Sequence, residues 1–436
     1  MDNGQTINIT ALIGARPFGR FQIGIVFLCA LIALLDGYDL QVIGLAAPAI
    51  ASLLKIPPFA MGGVFSAALA GLTLGSFALG PVADRIGRKR VLIGCTLGFG
   101  LFTLATPLAG SYNELLAARF FTGLGLGGAV PSFIALASEY TPLRKRATMV
   151  GFLWAGFPVG GVVGGLLGNW LIPTLGWQWL FWIGGAMPIV LAVLLAGFLP
   201  ESIGYLVTSG APASGIATLL QRVCGAKVPA DARFVLGEDK TDRANIGELF
   251  SHGRAYGTLL LWVSFFIVYL QLVTNSAWSP ILLSHVGVPV PLSARGMAAY
   301  NFGSVIGTMA AGWLLSRLGP KILLPVALIG TVFAYGLVGY AAPDINIIIV
   351  LQSLMGLFLG GVATALIALS ALLYPTPIRS TGVGWAIGVG RFGSFVGPLV
   401  VGALLGGGLA VGPIFVAIAA PAIIAAITAG LIPKHG

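Results

Sequence analysis

Long apolar runs separated by short polar loops form the main pattern of this sequence. A helix needs about twenty apolar residues to cross the hydrocarbon core of a bilayer, and the pattern predicts twelve such helices with a longer polar stretch, 200–256, between the sixth and the seventh. The predicted spanning segments are 21–43, 59–82, 91–110, 115–138, 147–172, 178–199, 257–283, 294–316, 321–341, 345–373, 381–404 and 409–432.

Composition supports this interpretation. Of the 436 residues, 57% are hydrophobic and only 8% are charged, whereas a soluble domain carries roughly a quarter of charged residues. Most of the outer surface must therefore face the lipid bilayer, and we predict an all-α membrane protein. The 64 glycines fit this class, because small residues let membrane helices approach one another closely.

The net charge of +10 is explained by topology. With the N-terminus in the cytoplasm, nineteen of the 23 Lys and Arg residues fall on the cytoplasmic side, two fall on the other side and two fall inside predicted spans. This asymmetry follows the positive-inside rule, so we predict a multi-pass protein with both termini in the cytoplasm. Basic residues confined to short loops argue against nucleic acid as a partner.

An internal repeat divides the chain into two halves. Near-identical offsets of 232 and 233 residues relate the copies, so we predict an N-terminal six-helix bundle (1–199), a cytoplasmic linker (200–256) and a C-terminal six-helix bundle (257–436). Repeated halves around a midplane site are the architecture of secondary transporters. The copies are Gly80-x-x-x-Asp84-Arg85-x-Gly87 with Gly312-x-x-x-Ser316-Arg317-x-Gly319, and Arg119-x-x-x-Gly123 with Gln352-x-x-x-Gly356.

Several motifs resemble those of a known family. Gly80-Pro-Val-Ala-Asp84-Arg85-Ile-Gly87-Arg88-Lys89-Arg90 is similar to the hallmark loop of the major facilitator superfamily, and Asp36-Gly37-Tyr38-Asp39, Pro200-Glu201-Ser202 and Gly390-Arg391-x-Gly393-Ser394 resemble the aromatic acid:proton symporters. The resemblance implies proton-coupled uptake of a benzoate-type anion, such as a hydroxybenzoate, across a bacterial inner membrane. Two departures are Ser316, where the second loop copy often has an acid, and Gly204, where the family often has Arg.

Apart from Arg295 and Lys321 at the ends of two spans, four full charges lie inside the predicted spans: Asp36, Asp39, Arg119 and Arg391. A charge at the bilayer centre costs at least ~2.5–3.5 kcal/mol, so these residues are functional candidates, although a buried pair that only fixes helix packing would also explain them. Asp36 and Asp39 share one helix face, and Arg119 lies at a similar depth. We predict an Asp36–Arg119 pair, with Asp36 as the proton carrier and Asp39 as its neighbour or as a structural partner; the sequence does not decide between the two acids.

Arg391 is the candidate for binding the substrate. Its planar guanidinium can hold a carboxylate with two parallel hydrogen bonds, Ser394 lies one turn further on, and Gly390 and Gly393 leave room. A lock to another helix is the alternative role. The candidates for the ring site include Tyr38, Trp278 and Trp385, together with Trp154, Tyr269 and Tyr300, and a polar stripe of Gln271, Thr274 and Asn275 that serves either a ring hydroxyl or helix contacts.

The loop motif has a different expected role. By resemblance, Asp84, Arg85, Arg88, Glu139 and Arg144 form a cluster that latches the cytoplasmic gate. The positive-inside rule alone would explain the arginines, but it does not explain Asp84 or Glu139.

No cofactor is expected, and the proton is the coupling ion. The three cysteines have no metal-ligand spacing, and the glycines at 123, 125 and 127 lie inside an apolar helix without a preceding strand. The alternatives to an aromatic-acid symporter are a proton-coupled exporter, a symporter of a non-aromatic organic acid, and a membrane sensor, which would need a folded signalling domain. We expect a monomer.

Overall fold

Sixteen helices make up most of the computed structural model, which describes residues 6–225, 229, 232–236, 246–251, 253–375 and 378–432. The helices are α1 (Ile9–Gly14), α2 (Arg20–Leu53), α3 (Pro58–Ile86), α4 (Arg88–Ala105), α5 (Tyr112–Glu139), α6 (Leu143–Thr174), α7 (Gln178–Phe198), α8 (Ile203–Thr208), α9 (Ala213–Cys224), α10 (Ala255–His285), α11 (Val290–Leu318), α12 (Pro320–Ala341), α13 (Ile345–Leu373), α14 (Arg379–Gly406), α15 (Val411–Ala419) and α16 (Pro421–Leu431).

The described helices match the predicted membrane spans. Eleven segments are long and apolar enough to cross a membrane, with α15 and α16 forming one of them, interrupted just before Pro421. Proline lacks the N–H that would continue the backbone ladder, which explains the interruption. The twelfth span is α11, which has the required length but is less apolar, because Ser, Thr, Asn and Gly are spread along it.

The two repeats fold alike. We call α2–α7 the N-half and α10–α16 the C-half. In the N-half, Gly75 of α3 lies against the backbone of Leu124 in α5, and in the C-half Gly307 of α11 lies against Leu357 in α13. A Cβ at either glycine would collide with the facing carbonyl oxygen. The two contacts are related by the same offsets, 232 and 233, that the sequence repeat predicts, so close glycine packing explains why the repeat is visible.

Part of the predicted linker packs against the N-half. Helix α9 buries Ile216, Leu220 and Val223, which recur at helical spacing, in the N-half core. The strands β1 (Thr6–Asn8) and β2 (Arg233–Val235) pair in parallel, a small sheet that the sequence pattern did not predict. Of the predicted linker, 226–228, 230–231, 237–245 and 252 lie outside the described residues, and its described part contains no helix long enough to span a membrane.

The two halves close at one end. Arg85 at the end of α3, Arg88 and Lys89 at the start of α4, and Arg144 at the start of α6 lie on one side of the molecule, which we call the basic end. At the opposite end, the Ser66 hydroxyl donates to the Phe395 carbonyl (3.0 Å), and Arg295 donates to the Asn169 side chain (2.8 Å).

Glycines allow this closure. A Cβ at Gly62 would lie 2.7 Å from the Pro398 carbonyl oxygen of the other half, and one at Gly165 would lie 2.8 Å from the Ala298 nitrogen. We call the sealed side of the molecule the closed end.

Candidate functional site

A central cavity of about 200 Å³ lies between the two halves. Both halves line it, and its walls are mostly apolar, with aromatic side chains from each half. A cavity with apolar walls and a few convergent polar groups is the usual form of a site for a small organic ligand. The charged residues of the lining are Asp36, Asp39, Arg119 and Arg391. All four charges that the sequence placed inside spans therefore meet in one cavity.

Arg119 pairs with Asp39. The two guanidinium nitrogens donate to the two carboxylate oxygens over 3.0 and 2.5 Å, and the residues are only 1% and 4% exposed. This pairing corrects the Asp36–Arg119 pair expected from the sequence. Both acids lie on the same face of α2, and helical spacing alone could not tell which of them reaches α5.

Asp36 and Arg391 face each other across the cavity. Asp36 lies on α2 in the N-half and Arg391 on α14 in the C-half, and the two charges are close enough to interact electrostatically. In the part of the chain that the structure describes, neither residue forms an ion pair. Arg391 instead donates a hydrogen bond to the Ser76 hydroxyl on α3 (2.9 Å), so a neutral group from the opposite half orients its guanidinium.

Tyr269 of α10 lies beside Arg391 on the cavity wall. A Cβ added at Gly390 would lie 3.1 Å from the ring of Tyr269, so the glycine gives the ring its place next to α14. Ser394 lines the cavity and donates to the Tyr269 carbonyl over 3.4 Å. The room expected at Gly393 is taken by the backbone of Phe266. Of the two glycines, only Gly390 therefore makes room for a side chain of the cavity wall.

Three aromatic residues predicted for the ring site lie outside the cavity lining. The Tyr38 hydroxyl donates to the Leu180 carbonyl (2.9 Å), and Trp278 donates through Nε1 to the Pro398 carbonyl (3.1 Å). Trp385 is 47% exposed. The first two side chains are occupied in helix–helix contacts. The aromatic wall is formed by the other three predicted candidates, Trp154, Tyr269 and Tyr300, together with Phe65 and Phe157.

The predicted polar stripe on α10 packs inside the C-half. Gln271 donates to the Ile418 carbonyl (2.8 Å), and Asn275 donates to Gln352 (3.2 Å), which in turn donates to Ser279 (2.8 Å). These side chains are fully buried and absent from the cavity lining. Of the two roles the sequence left open for the stripe, the geometry favours helix contacts.

The charged cluster at the basic end is organised around Glu139. Arg88 forms ion pairs with Asp84 (3.2 Å) and with Glu139. The Ser202 hydroxyl also donates to Glu139 (2.8 Å), and the Lys89 backbone N–H donates to Glu201 (2.9 Å). These contacts tie α3, α4 and α5 of the N-half to the segment that follows α7.

The other two members of the predicted cluster, Arg85 and Arg144, are exposed. Two further residues belong to the cluster, Glu201 and Ser202. Both residues belong to the Pro200-Glu201-Ser202 motif. The sequence analysis used this motif as evidence of family resemblance and did not predict its contacts with the cluster.

Comparisons with known proteins place the sequence among transporters. The family model of the Major Facilitator Superfamily matches residues 29–296 and 260–435. The chain is 37% identical to the 4-hydroxybenzoate transporter PcaK of Pseudomonas aeruginosa, over 97% of this chain and 94% of that protein. It is 36% identical to a gallate transporter of Pseudomonas putida over the same shares of the two chains.

A solved structure has a similar fold. A bacterial homologue of the human lysosomal transporter Spinster, in an inward-facing and occupied conformation, superposes with a TM-score of 0.69 at 18% identity, over 95% of both chains. At this level of identity, the similarity extends to the fold alone.

Proposed function

Because the chain belongs to the major facilitator superfamily, we propose that this aromatic-acid transporter, which is not an enzyme, takes up a small aromatic carboxylate such as a hydroxybenzoate together with protons. The observation that carries the proposal is the position of Arg391, an arginine without an ion-pair partner among the described residues, in a cavity with aromatic walls. Alternation between two conformations of the halves would expose this cavity to each side of the membrane in turn.

Arg391 binds the substrate carboxylate. Its only described hydrogen-bond acceptor is the neutral hydroxyl of Ser76, so its positive charge remains available to an anion. A guanidinium and a carboxylate make two parallel, charge-assisted hydrogen bonds, which are stronger between partly desolvated groups than in bulk water. The ring of the substrate then lies among the aromatic side chains of the wall, where Tyr269 lies beside Arg391.

Asp36 couples the substrate to a proton. While the cavity is empty, the positive charge of Arg391 stabilises the Asp36 carboxylate across the gap between the halves. A substrate anion that binds Arg391 adds a negative charge and takes over that interaction. Asp36 then gains affinity for a proton, so the proton and the anion bind together and leave together. The bound pair carries no net charge, which also lowers the cost of occluding it.

The Asp39–Arg119 ion pair stays intact while Asp36 binds and releases the proton. Both charges are already satisfied by two hydrogen bonds within the N-half, and no change of contact between the halves is needed to keep them paired. We assign Asp39 and Arg119 to holding α2 against α5, so that Asp36 is presented to the cavity.

The basic end faces the cytoplasm, by the positive-inside rule, and the protein lies in the bacterial inner membrane. The closed end then faces outward, so this conformation loads or releases substrate on the cytoplasmic side. The cluster of Asp84, Arg88 and Glu139 belongs to the gate on that side. No resident cofactor takes part, and the monomer is the transporting unit.

Uptake by the purified protein tests the proposal. Proteoliposomes with an inward proton gradient are expected to accumulate radiolabelled 4-hydroxybenzoate, and an ionophore that collapses the gradient should abolish the accumulation. A gradient of one pH unit supports roughly tenfold accumulation for each coupled proton. If a folded protein accumulated none of a panel of aromatic carboxylates, the substrate class would be wrong. Accumulation under an outward gradient only would favour export.

Replacement of Asp36 by asparagine separates binding from coupling. Asparagine resembles the protonated acid, so Asp36→Asn is expected to exchange labelled for unlabelled substrate at close to the normal rate but to lose the roughly tenfold accumulation driven by one pH unit. Both assays use the same proteoliposomes, with and without the gradient.

Glu114→Gln is the matched control, because this exposed carboxyl accepts a hydrogen bond from the Gly110 backbone that a glutamine can also accept. It should leave both activities unchanged. Gradient-driven accumulation by Asp36→Asn would remove Asp36 from the coupling step.

A further inference from the structure

A row of polar side chains on α11 faces the cavity from the C-half. Asn301, Ser304 and Thr308 follow one another at helical spacing, and all three line the cavity. Two members of the row are specific to the C-half: at the offset of 232 residues Asn301 and Ser304 correspond to Leu69 and Leu72 in α3, whereas Thr308 corresponds to Ser76. The helix packing that the two halves share does not require polar side chains at these positions. We therefore relate polar residues that occur in only one half, and that line the cavity, to the binding of a ligand.

The Ser304 hydroxyl is free to bind a ligand. Among the described residues it has no hydrogen-bond partner, although Ser304 is only 8% exposed. Its neighbours on the row are engaged: Asn301 donates to Gln41 (2.9 Å), and Thr308 donates to the Gly360 carbonyl (3.4 Å). The Ser304 oxygen packs against Gly360 of α13, where a Cβ would lie only 2.4 Å from it, so the glycine gives the hydroxyl its place on the cavity wall.

The depth of Ser304 relative to Arg391 follows from the repeat, and both residues line the same cavity. Arg391 donates a hydrogen bond to Ser76, and Ser76 corresponds to Thr308 in the second copy of the repeat. The three residues therefore lie at a similar depth. Ser304 is four residues from Thr308 toward the closed end, a displacement of about 6 Å along the helix. This displacement is comparable with the distance between the carboxyl carbon and the oxygen of a hydroxyl group at the opposite position of a benzene ring.

We propose that Ser304 recognises a ring hydroxyl of the substrate, para to the carboxylate that Arg391 holds, and so selects hydroxylated over unsubstituted aromatic acids. The inference rests on the proposed function and adds its specificity determinant. The serine oxygen accepts from the phenol or donates to it, whereas an unsubstituted ring leaves the buried hydroxyl without a partner. A site that hydrogen-bonds a substrate hydroxyl discriminates against analogues that lack it.

Replacement of Ser304 by alanine is expected to raise the KM for 4-hydroxybenzoate about 5- to 10-fold, and to leave the KM for benzoate within about twofold of the wild-type value. Uptake of both labelled acids into proteoliposomes measures the two constants. Ser304→Thr, which keeps a hydroxyl, should retain the preference. Ser353→Ala is the matched control, because that hydroxyl donates to the Ile349 carbonyl of its own helix, and it should change neither constant.

A second measurement uses only the wild-type protein. Unlabelled 4-hydroxybenzoate is expected to inhibit the uptake of labelled 4-hydroxybenzoate more strongly than its 2- and 3-hydroxy isomers do, and more strongly than benzoate does. Competition by benzoate equal to that of 4-hydroxybenzoate would overturn the inference, and so would an equal loss of both substrates in Ser304→Ala. These results leave the proposed function intact, whereas a wild-type protein that transports no aromatic acid would overturn both.

Discussion

Replacement of Arg391 by alanine is expected to lower the kcat/KM for aromatic-acid uptake by at least about 30-fold. The substitution removes the cation that holds the substrate carboxylate, and truncation of one partner of a desolvated charge pair costs about 2–5 kcal/mol or more. Arg391→Lys should recover only part of the activity, because lysine keeps the charge but lacks the planar pair of donors. Initial rates in proteoliposomes over a range of substrate concentrations measure the effect.

Binding can be separated from transport in the same variant. A ligand that binds only the folded state raises the temperature of unfolding, so 4-hydroxybenzoate should stabilise the wild-type protein in detergent and fail to stabilise Arg391→Ala. Arg317→Ala is the control, because this arginine of α11 lies over the ring of Trp313, 5.0 Å from its centre, on the exposed surface of the helix. Substrate-dependent stabilisation that persists in Arg391→Ala would assign Arg391 to a lock between helices.

Coupling in this scheme depends on an arginine shared between two anions. Arg391 lies in one half and Asp36 in the other, so any movement of the halves changes their separation. The empty transporter, in which Asp36 and Arg391 offset each other, and the loaded one, with Asp36 protonated and the anion on Arg391, carry no net charge in the cavity. A carrier that holds only the proton or only the anion would have to occlude an uncompensated charge. The same arrangement therefore couples the proton to the anion and discourages return of a half-loaded carrier.

The sequence identified the charged residues of the site because they are costly in a membrane. Asp36 and Arg391 stood out as ionisable groups inside apolar segments, and both line the cavity. The sequence could not choose the partner of Arg119, since Asp36 and Asp39 are one helical turn apart and the choice depends on the exact approach of α2 to α5. Such an approach is set by packing, which the spacing of residues along one helix does not encode.

Neutral polar residues were harder to assign. Gln271 and Asn275 form a stripe as regular as that of Asn301 and Ser304, yet only the stripe on α11 lines the cavity. Polar side chains in membrane helices serve packing as readily as ligands, so their residue types do not distinguish the two uses. The sequence nevertheless distinguished the two helices, because α11 is the least apolar of the described helices that are long enough to span the membrane.

The fold was predictable because the repeat and the hydropathy pattern act over long segments. The glycine contacts of Gly75 and Gly307 reproduce the offsets read from the sequence, since close helix packing tolerates no larger residue there. The short β1–β2 pair was not predictable, because three-residue strands carry almost no periodicity and depend on a partner more than two hundred residues away.

Replacement of Asp39 by asparagine is expected to destabilise the protein by about 3–5 kcal/mol, because it leaves the buried guanidinium of Arg119 without its counter-ion. The Arg119 side chain is only 2% exposed, and its Nε lacks a hydrogen-bond partner among the described residues, so the Asp39 carboxylate supplies the ion pair of this buried charge. Thermal unfolding in detergent measures the loss. Asp344→Asn is the control, because asparagine caps a helix N-terminus as well as aspartate does and Asp344 caps α13.

A double variant then decides whether the pair has a role beyond stability. Asp39→Leu combined with Arg119→Met removes both charges and keeps the volume nearly constant, and replacement of a buried ion pair by apolar residues is often neutral or stabilising. The double variant should therefore unfold at nearly the wild-type temperature and retain proton-driven uptake through Asp36 and Arg391. If it is stable but exchanges substrate without responding to the proton gradient, Asp39 and Arg119 belong to the coupling mechanism, and the assignment of the proton to Asp36 alone is wrong.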